Sequence, residues 1–295
     1  MQDKSIFFRI PKTGKQAFLV QHDNQPWFYD RLHYHPELQL SYIISGSGDL
    51  FLNDSIIPFE EGNLFLIGPD QSHLFKSDER YFNAENELRS RAVTIFFHEN
   101  SLGEGFFNIA EMSSVRHLIE RSGRGIRFDP EISVRLGKKL AGFSETSDFD
   151  QFQEMLSILN ELASSQNYEY LSAVSTPDPL TDNENRRVND VITYIFSNYK
   201  RDIKLKEVAL IANYSPAAFC HFFKQRTRKT FTQFLNEVRV SQACKLLRNT
   251  DLNVSQICYD SGFNNVSNFN RQFKKVTGLS PTAYLKKYTG SLQPK

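Results

Sequence analysis

The feature that most restricts this chain is a duplication near its carboxyl end. Phe219, Phe223, Lys224 and Thr227 recur fifty residues later as Phe269, Phe273, Lys274 and Thr277. A short apolar segment precedes each set, Glu207 to Ser215 in the first copy and Gln256 to Phe263 in the second. A repeat of this period is one supersecondary unit used twice. Each copy reads as a short helix, a tight turn and a second helix, a pair that buries one apolar face and leaves the outer face of its second helix free. Phe219, Phe222 and Phe223 are expected to anchor the first copy, Phe269 and Phe273 the second. Helix starts punctuate the region: Ser215-Pro216 and Ser280-Pro281 put a capping hydroxyl before a proline whose missing N–H is no loss. Thr230 with Gln233, and Asn253 with Gln256, have capping-box spacing.

The free faces form a candidate DNA interface. In the first copy they hold Ser215, Ala217, Ala218, Cys220, His221 and Lys224, small or polar residues able to meet a thymine methyl. In the second they hold Val266, Ser267, Asn268, Asn270, Arg271 and Lys274, where Arg and Asn can pair bidentately with guanine and adenine edges, so the second helix is expected to be the better base reader. Charge agrees with a polyanionic partner. From Arg186 onward there are 19 basic and 6 acidic residues, net +13, whereas the residues before it carry 16 and 28, net −12. The near-neutral total hides an acidic part fused to a basic one. From the residues alone, these cations are equally phosphate contacts or solvated side chains, and His221 an ordinary surface histidine. Cys220, Cys244 and Cys258 match neither a C-x-x-C pair nor a zinc finger, which leaves reduced cytoplasmic thiols as the expectation.

The stretch Ile257-Cys258-Tyr259-Asp260-Ser261-Gly262-Phe263, with Phe269-Asn270-Arg271-Gln272-Phe273-Lys274-Lys275-Val276-Thr277-Gly278-Leu279-Ser280-Pro281-Thr282-Ala283-Tyr284, resembles the signature of the AraC/XylS family of transcription regulators nearly residue for residue. The resemblance covers Arg187 to Tyr288 and implies two helix-turn-helix units joined by a long helix, with recognition helices in successive major grooves. One departure is Arg228, which stands where the second copy has Gly278 and leaves the geometry of that corner open if it needs a left-handed residue.

The first part of the chain reads differently. Leu38 to Ile44, Asp49 to Leu52, Asn63 to Ile67 and Ala92 to Phe97 are strand-like runs separated by Gly46-Ser47-Gly48, Asn53-Asp54 and Gly68-Pro69-Asp70, a pattern of sandwiches and small barrels. His33 and His35 precede the first run, Gln39 lies within it and His73 follows the third. Residues two apart on a strand share a face, so His33 and His35 can converge, with His73 arriving from a later strand, and three imidazoles are able to hold a divalent ion. Order and spacing resemble the two motifs of the cupin barrel, and Tyr34 to Phe75 is similar to the sensor domain of cupin-containing AraC-type regulators, as is Phe106 to Phe128. A metal-dependent cupin enzyme has a carboxylate where this chain has Gln39, and Pro36 obscures the direction of Glu37. A pocket for an organic effector made by His33, His35, Gln39 and His73 is therefore preferred, with no metal and no cofactor; the alternative is a metal-dependent cupin enzyme fused to a DNA-targeting module. Satisfied barrel-interior histidines and a purely architectural DNA binder are the blander readings.

Phe149, Phe152, Leu156, Leu159 and Leu162 or Ala163 fall on one face of a helix from Asp148 to Ser165, which either covers the barrel or pairs with a second copy. The family resemblance tilts this towards a homodimer. No apolar run approaches the roughly 18 residues of a membrane helix, and Met1 to Arg9 has no signal-peptide pattern, so a cytoplasmic protein with no membrane partner is expected. The expected architecture is two-domain α+β: an N-terminal cupin-like β-barrel with trailing helices, and a C-terminal all-α domain with two helix-turn-helix motifs. Residues 1–172 are assigned to effector sensing and dimerisation, 173–185 to a polar linker and 186–295 to DNA binding. Expected partners are double-stranded promoter DNA, a small-molecule effector that is a sugar by analogy only, a second copy of the chain and, for an activator, RNA polymerase. No enzymatic activity is expected.

Overall fold

Strands before residue 100 alternate two kinds of inward face, and this alternation sets the architecture. A computed structural model describes residues 17–53, 55–83, 87–143, 148–172, 182–250 and 252–289. The Met1 to Arg9 segment and Asp54 of the expected Asn53-Asp54 turn lie outside them. The chain divides into two units, Met1–Asn185 and Arg186–Lys295.

In the first unit, β1 (Phe18–Gln25), β2 (Leu38–Ser45), β3 (Gly48–Leu52), β4 (Ser55–Phe59), β5 (Leu64–Ile67), β6 (His73–Ser77), β7 (Ser90–Phe97), β8 (Ile126–Phe128) and β9 (Tyr168–Tyr170) form two antiparallel sheets. The larger has the order β1-β7-β2-β5-β8-β9 and the smaller β4-β3-β6. Period-two alternation sends Leu38 and Leu40 of β2, Leu64 and Leu66 of β5, and Val93, Ile95 and Phe97 of β7 into a core shared with the helices. The intervening Ile43, Phe65, Ile67 and Ala92 pack with Leu50, Leu52, Phe59 and Phe75 of the smaller sheet. A sheet buried on both faces reads in sequence as an unbroken apolar run.

Helices α1 (Ser113–Ser122), α2 (Pro130–Ala141) and α3 (Asp148–Ser164) supply the rest of the first core. Asp129 starts α2, accepting from the amides of Glu131 and Ile132 ahead of Pro130. The buried stripe of α3 is Met155, Ile158, Leu159, Leu162 and Ala163. It differs from the expected face: Phe149 is 66% exposed, and Phe152 and Leu156 are only half-buried. The two stripes share Leu159, Leu162 and Ala163, and packing against α1 and α2 buries Met155 and Ile158 in place of Phe149, Phe152 and Leu156.

The second unit is helical: α4 (Asp182–Asn198), α5 (Leu205–Ile211), α6 (Pro216–Thr227), α7 (Phe231–Asn249), α8 (Val254–Asp260), α9 (Val266–Thr277) and α10 (Pro281–Thr289). Residues 173–181 of the expected linker lie outside the described residues, and Asp182–Asn185, also assigned to it, are the opening turn of α4. Acidic and amide residues suit a solvated linker and also a first helical turn, where negative charge meets the positive end of the dipole, so composition alone does not separate the two. The anticipated starts are present. Ser215 and Ser280 accept from the amides of Ala218 and Ala283, and capping boxes form at Thr230–Gln233 and Asn253–Gln256. Phe231 and Phe234 of α7 meet Phe219 and Phe223 of α6 edge to face. Val240, Ala243, Cys244 and Leu247, further along α7, share a core with Ile257, Cys258, Phe263, Phe269, Phe273 and Tyr284.

Candidate nucleic-acid interface and ligand pocket

Helices α5 and α6 form one helix-turn-helix, α8 and α9 the other. On α6, Phe219, Phe222 and Phe223 turn inward, while Ala217, Ala218, Cys220, His221 and Lys224, with the capping Ser215, are exposed. On α9, Phe269 and Phe273 are buried, Ser267, Asn270, Arg271 and Lys274 are exposed, and Val266 and Asn268 are half-buried. Arg271 donates through Nη2 to Asn268 Oδ1 at 2.9 Å, which holds the guanidinium over the amino-terminal part of α9. Lys275 is also exposed, a cation not singled out from sequence although it adjoins Lys274.

The repeated threonines explain how both second helices end alike. Thr227 donates from Oγ1 to the Phe223 carbonyl at 2.8 Å and accepts from the Lys229 amide, and Thr277 does the same with Phe273 and Leu279. Between clamp and next helix the chain must pass through a left-handed residue. Gly278 has φ 75°, and Arg228 takes the same region at φ 56°. The corner that the sequence left open is preserved, at the steric cost a side chain incurs there.

In the first unit the four candidate effector residues come together. His33 is 8% exposed, His35 1%, His73 1% and Gln39 6%. Ring centroids lie 4.3 Å apart for His33–His73, 5.1 Å for His35–His73 and 5.9 Å for His33–His35. The convergence does not arise from one strand, as expected from sequence: β2 starts only at Leu38, and His33 is held by an isolated bridge whose two hydrogen bonds join its backbone to that of His73 at 3.1 and 2.9 Å. Gln39 Oε1 lies 3.0 Å from His35 Nε2 and 2.9 Å from His73 Nε2. Burial holds all three imidazoles below the usual histidine range, His33 down to about 4, so they are neutral at physiological pH. Glu37, whose direction sequence could not give, is buried with Oε2 3.9 Å from His35 Nδ1.

A cavity of about 70 Å³ adjoins the cluster, several times the roughly 10–15 Å³ that one water needs. His33 and Gln39 contribute to its wall together with Gln21, Asp23, Ser41 and Thr94, and Phe28, Tyr29, Phe75 and Phe96 supply aromatic surface. The polar members form a chain: Gln39 Nε2 donates to Ser41 Oγ at 2.9 Å, and Ser41 Oγ is 2.9 Å from Thr94 Oγ1. Burial raises the Asp23 carboxyl above its ordinary range, opposed by a hydrogen bond from Gln21. Sequence reasoning missed Gln21, Asp23, Ser41 and Thr94. The signal available was Gln39 with Ser41 at two-residue spacing in a mostly apolar strand, whereas Gln21 and Asp23 sit in a run that is polar from Gln21 to Gln25 and carries no such contrast.

Among the described residues no helix is long and apolar enough to cross a membrane. Residues 15–94 match the AraC-like ligand binding domain and residues 208–287 a helix-turn-helix domain, together more than half of the 295 residues. The chain is 24% identical over 256 residues to the Msm operon regulatory protein of Streptococcus mutans, covering 84% of this chain and 83% of that one. It is 22% identical over 280 residues to the uncharacterized HTH-type transcriptional regulator YdeC of Bacillus subtilis, covering 88% and 87%. Among solved structures, ToxT from Vibrio cholerae aligns over 93% of this chain and 99% of its own at 17% identity, with a TM-score of 0.37. With a ligand-binding domain ahead of a DNA-binding helix-turn-helix domain, the chain belongs to the AraC family of transcription regulators.

Proposed function

We propose that this regulator reads a specific promoter through α6 and α9 and that a small ligand in the N-terminal barrel sets how well it does so. The observation that carries the reading is the pair of recognition helices, each with its phenylalanines inward and its polar row outward, both packed on the single helix α7. Ser215, Ala217, Ala218, Cys220, His221 and Lys224 contact one major groove, and Val266, Ser267, Asn268, Asn270, Arg271 and Lys274 the next. Arg271, with its guanidinium oriented by Asn268, is the principal base reader. The ligand site is His33, His35, Gln39 and His73 with the adjoining cavity. A ligand there shifts DNA affinity only by as much as it binds the two states of the protein differently.

The family assignment favours a cytoplasmic receptor over an enzyme, because the relatives are named as transcription regulators and the ligand set has an amide where a catalytic carboxylate would stand. We read the functional form as a homodimer paired through the outer stripe of α3, contacting RNA polymerase where it activates. A sugar effector rests on analogy alone. The test is selection of bound duplexes from a random pool by the full chain, followed by titration against salt. Enrichment of one motif with two boxes is expected, and a protein making about 6–10 phosphate contacts loses roughly three to five orders of magnitude in affinity between 50 and 200 mM salt. No enriched motif, or a flat salt response, would sink the reading.

A further inference from the structure

We infer that the barrel cavity takes a small organic ammonium ion, an amine with an apolar body, and that Asp23 is its counter-ion. The inference rests on the reading of the barrel as the ligand-binding part and names the class of ligand.

Strand register builds one wall. β7 lies between β1 and β2, so Gln21 stands opposite Thr94 and Thr94 opposite Ser41, while Asp23 stands opposite Ala92 and Ala92 opposite Ile43. Residues two apart on a strand share a face, and both rows line the cavity. Ala92 is the smallest side chain in its row, which leaves room beside Asp23.

The wall carries formal charge of one sign. Among the described residues that line the cavity, Asp23 is the one acid, and none is a lysine or an arginine. An anionic ligand would leave water to face a carboxylate, which lost hydration and like charge both oppose. Asp23 is half-buried; among the described residues its one hydrogen bond comes from Gln21 Nε2 at 2.8 Å, and no lysine or arginine pairs with it. Burial holds its carboxyl above the ordinary range, so the negative charge is incompletely compensated within the protein, and a cation seated against it supplies the compensation.

Hydrogen-bonding capacity separates a cation from a neutral sugar. A polyol donates and accepts at every hydroxyl and needs wall groups of both kinds. Gln39, Ser41 and Thr94 are spent largely on one another, through Gln39 Nε2 to Ser41 Oγ and Ser41 Oγ to Thr94 Oγ1. An ionised carboxylate only accepts, so Gln21 turns its N–H group to Asp23 and keeps its carbonyl oxygen as a second acceptor. What the wall has left is acceptors, and a primary ammonium donates three hydrogen bonds and accepts none. Phe28, Tyr29, Phe75 and Phe96 supply the aromatic surface, which attracts a cation through the ring quadrupole and covers its hydrocarbon body. Tyr29 is 40% exposed where the other three are buried, which places it where the wall meets solvent.

The experiment is calorimetric titration of the full-length chain with matched compounds. Phenethylammonium, phenethyl alcohol and hydrocinnamate carry a positive, a neutral and a negative head on one body. Choline and its carbon isostere neohexyl alcohol repeat the comparison on a second body, and glucose serves as a neutral polyol. Phenethylammonium is expected to bind about 10- to 150-fold more tightly than phenethyl alcohol, the range spanned by a hydrogen bond to a charged group. Hydrocinnamate should not bind. Asp23→Asn with wild-type circular dichroism should abolish the preference and leave the Kd for phenethyl alcohol unchanged. The inference is overturned if neither ammonium ion binds more tightly than its neutral counterpart, if hydrocinnamate or glucose binds more tightly than both, or if folded Asp23→Asn keeps the preference. The comparison of heads is made on wild-type protein, so it decides the matter even where the variant fails to fold. Promoter binding measured alongside separates the two readings. An ammonium ion that binds without changing DNA affinity counts against ligand control and leaves the site standing, whereas glucose that changes DNA affinity while neither ammonium ion binds removes the ammonium site and leaves ligand control.

Discussion

Gly262 offers a stability test in which the structure supplies its own control. It lies in the turn between α8 and α9 at φ 87°, and a Cβ built there falls 2.4 Å from the Tyr199 carbonyl oxygen and 2.9 Å from Lys200 Cα. Both are backbone atoms, which cannot rotate out of the way as a side chain can. Gly278 has a similar φ of 75°, with nothing within 4 Å of its Cβ position. Gly278→Ala therefore incurs only left-handed strain, about 1–2 kcal/mol. Gly262→Ala incurs the same strain plus the overlap, and overpacking of this kind costs about 1–3 kcal/mol. Amide hydrogen exchange of α9, read at Phe269 and Phe273 under conditions where it reports opening free energy, compares the two variants in the full chain. The excess corresponds to roughly 5- to 150-fold faster exchange in Gly262→Ala than in Gly278→Ala, at about 1.4 kcal/mol per tenfold. Equal exchange in the two variants would refute the view that this turn docks against the chain following α4.

Arg228→Gly relieves the left-handed strain that Gly278 avoids but gives the unfolded chain more freedom, and a net stabilisation of about 0.5–1 kcal/mol is expected in the urea midpoint of the second unit. Arg271→Ala should cost about 1–3 kcal/mol on the preferred duplex and relax preference at one base, whereas Lys274→Ala should weaken all duplexes alike and reduce the salt slope by about 1, both read by fluorescence anisotropy on specific and random DNA. Equal losses on both duplexes for Arg271→Ala would remove its role as a reader. Phe149→Asp, at a position 66% exposed, should leave stability unchanged and shift sedimentation from dimer to monomer; an unaltered dimer would exclude the outer stripe of α3 as the pairing surface.

The second unit was legible because nearly every determinant is local: caps, apolar spacing and the repeated Phe219/Phe223 and Phe269/Phe273 pairs fall within a few turns of one another. One detail escaped the fifty-residue register. α6 and α9 keep that offset, but α5 and α8 start at Leu205 and Val254, because residues 212–215 make the first turn and 261–265 the second. The barrel was legible only in part. Its strand runs are visible, but β1 reaches the sheet by pairing with β7, far along the chain, and no local pattern announces that Gln21 will stand opposite Thr94, itself opposite Ser41 on the other side. The histidines were found from spacing, on an assumption of regular strand that the structure replaces with an isolated bridge. Likewise, a stripe count could not choose between two faces of α3, because the choice belongs to α1 and α2.

Helix α7 has 19 residues, about 28 Å of rigid rod at 1.5 Å per residue, and its opposite ends are built into the two helix-turn-helix cores. Neither reader can swivel without unpacking the phenylalanines of its own core from that rod. On the proposed binding mode the protein thus measures distance along DNA as well as sequence. Substituting a base within either half of its operator should lower affinity by degrees. Inserting a single base pair between the halves, which turns one box by about a tenth of a helical turn away from its reader, should be tolerated far less than any one substitution.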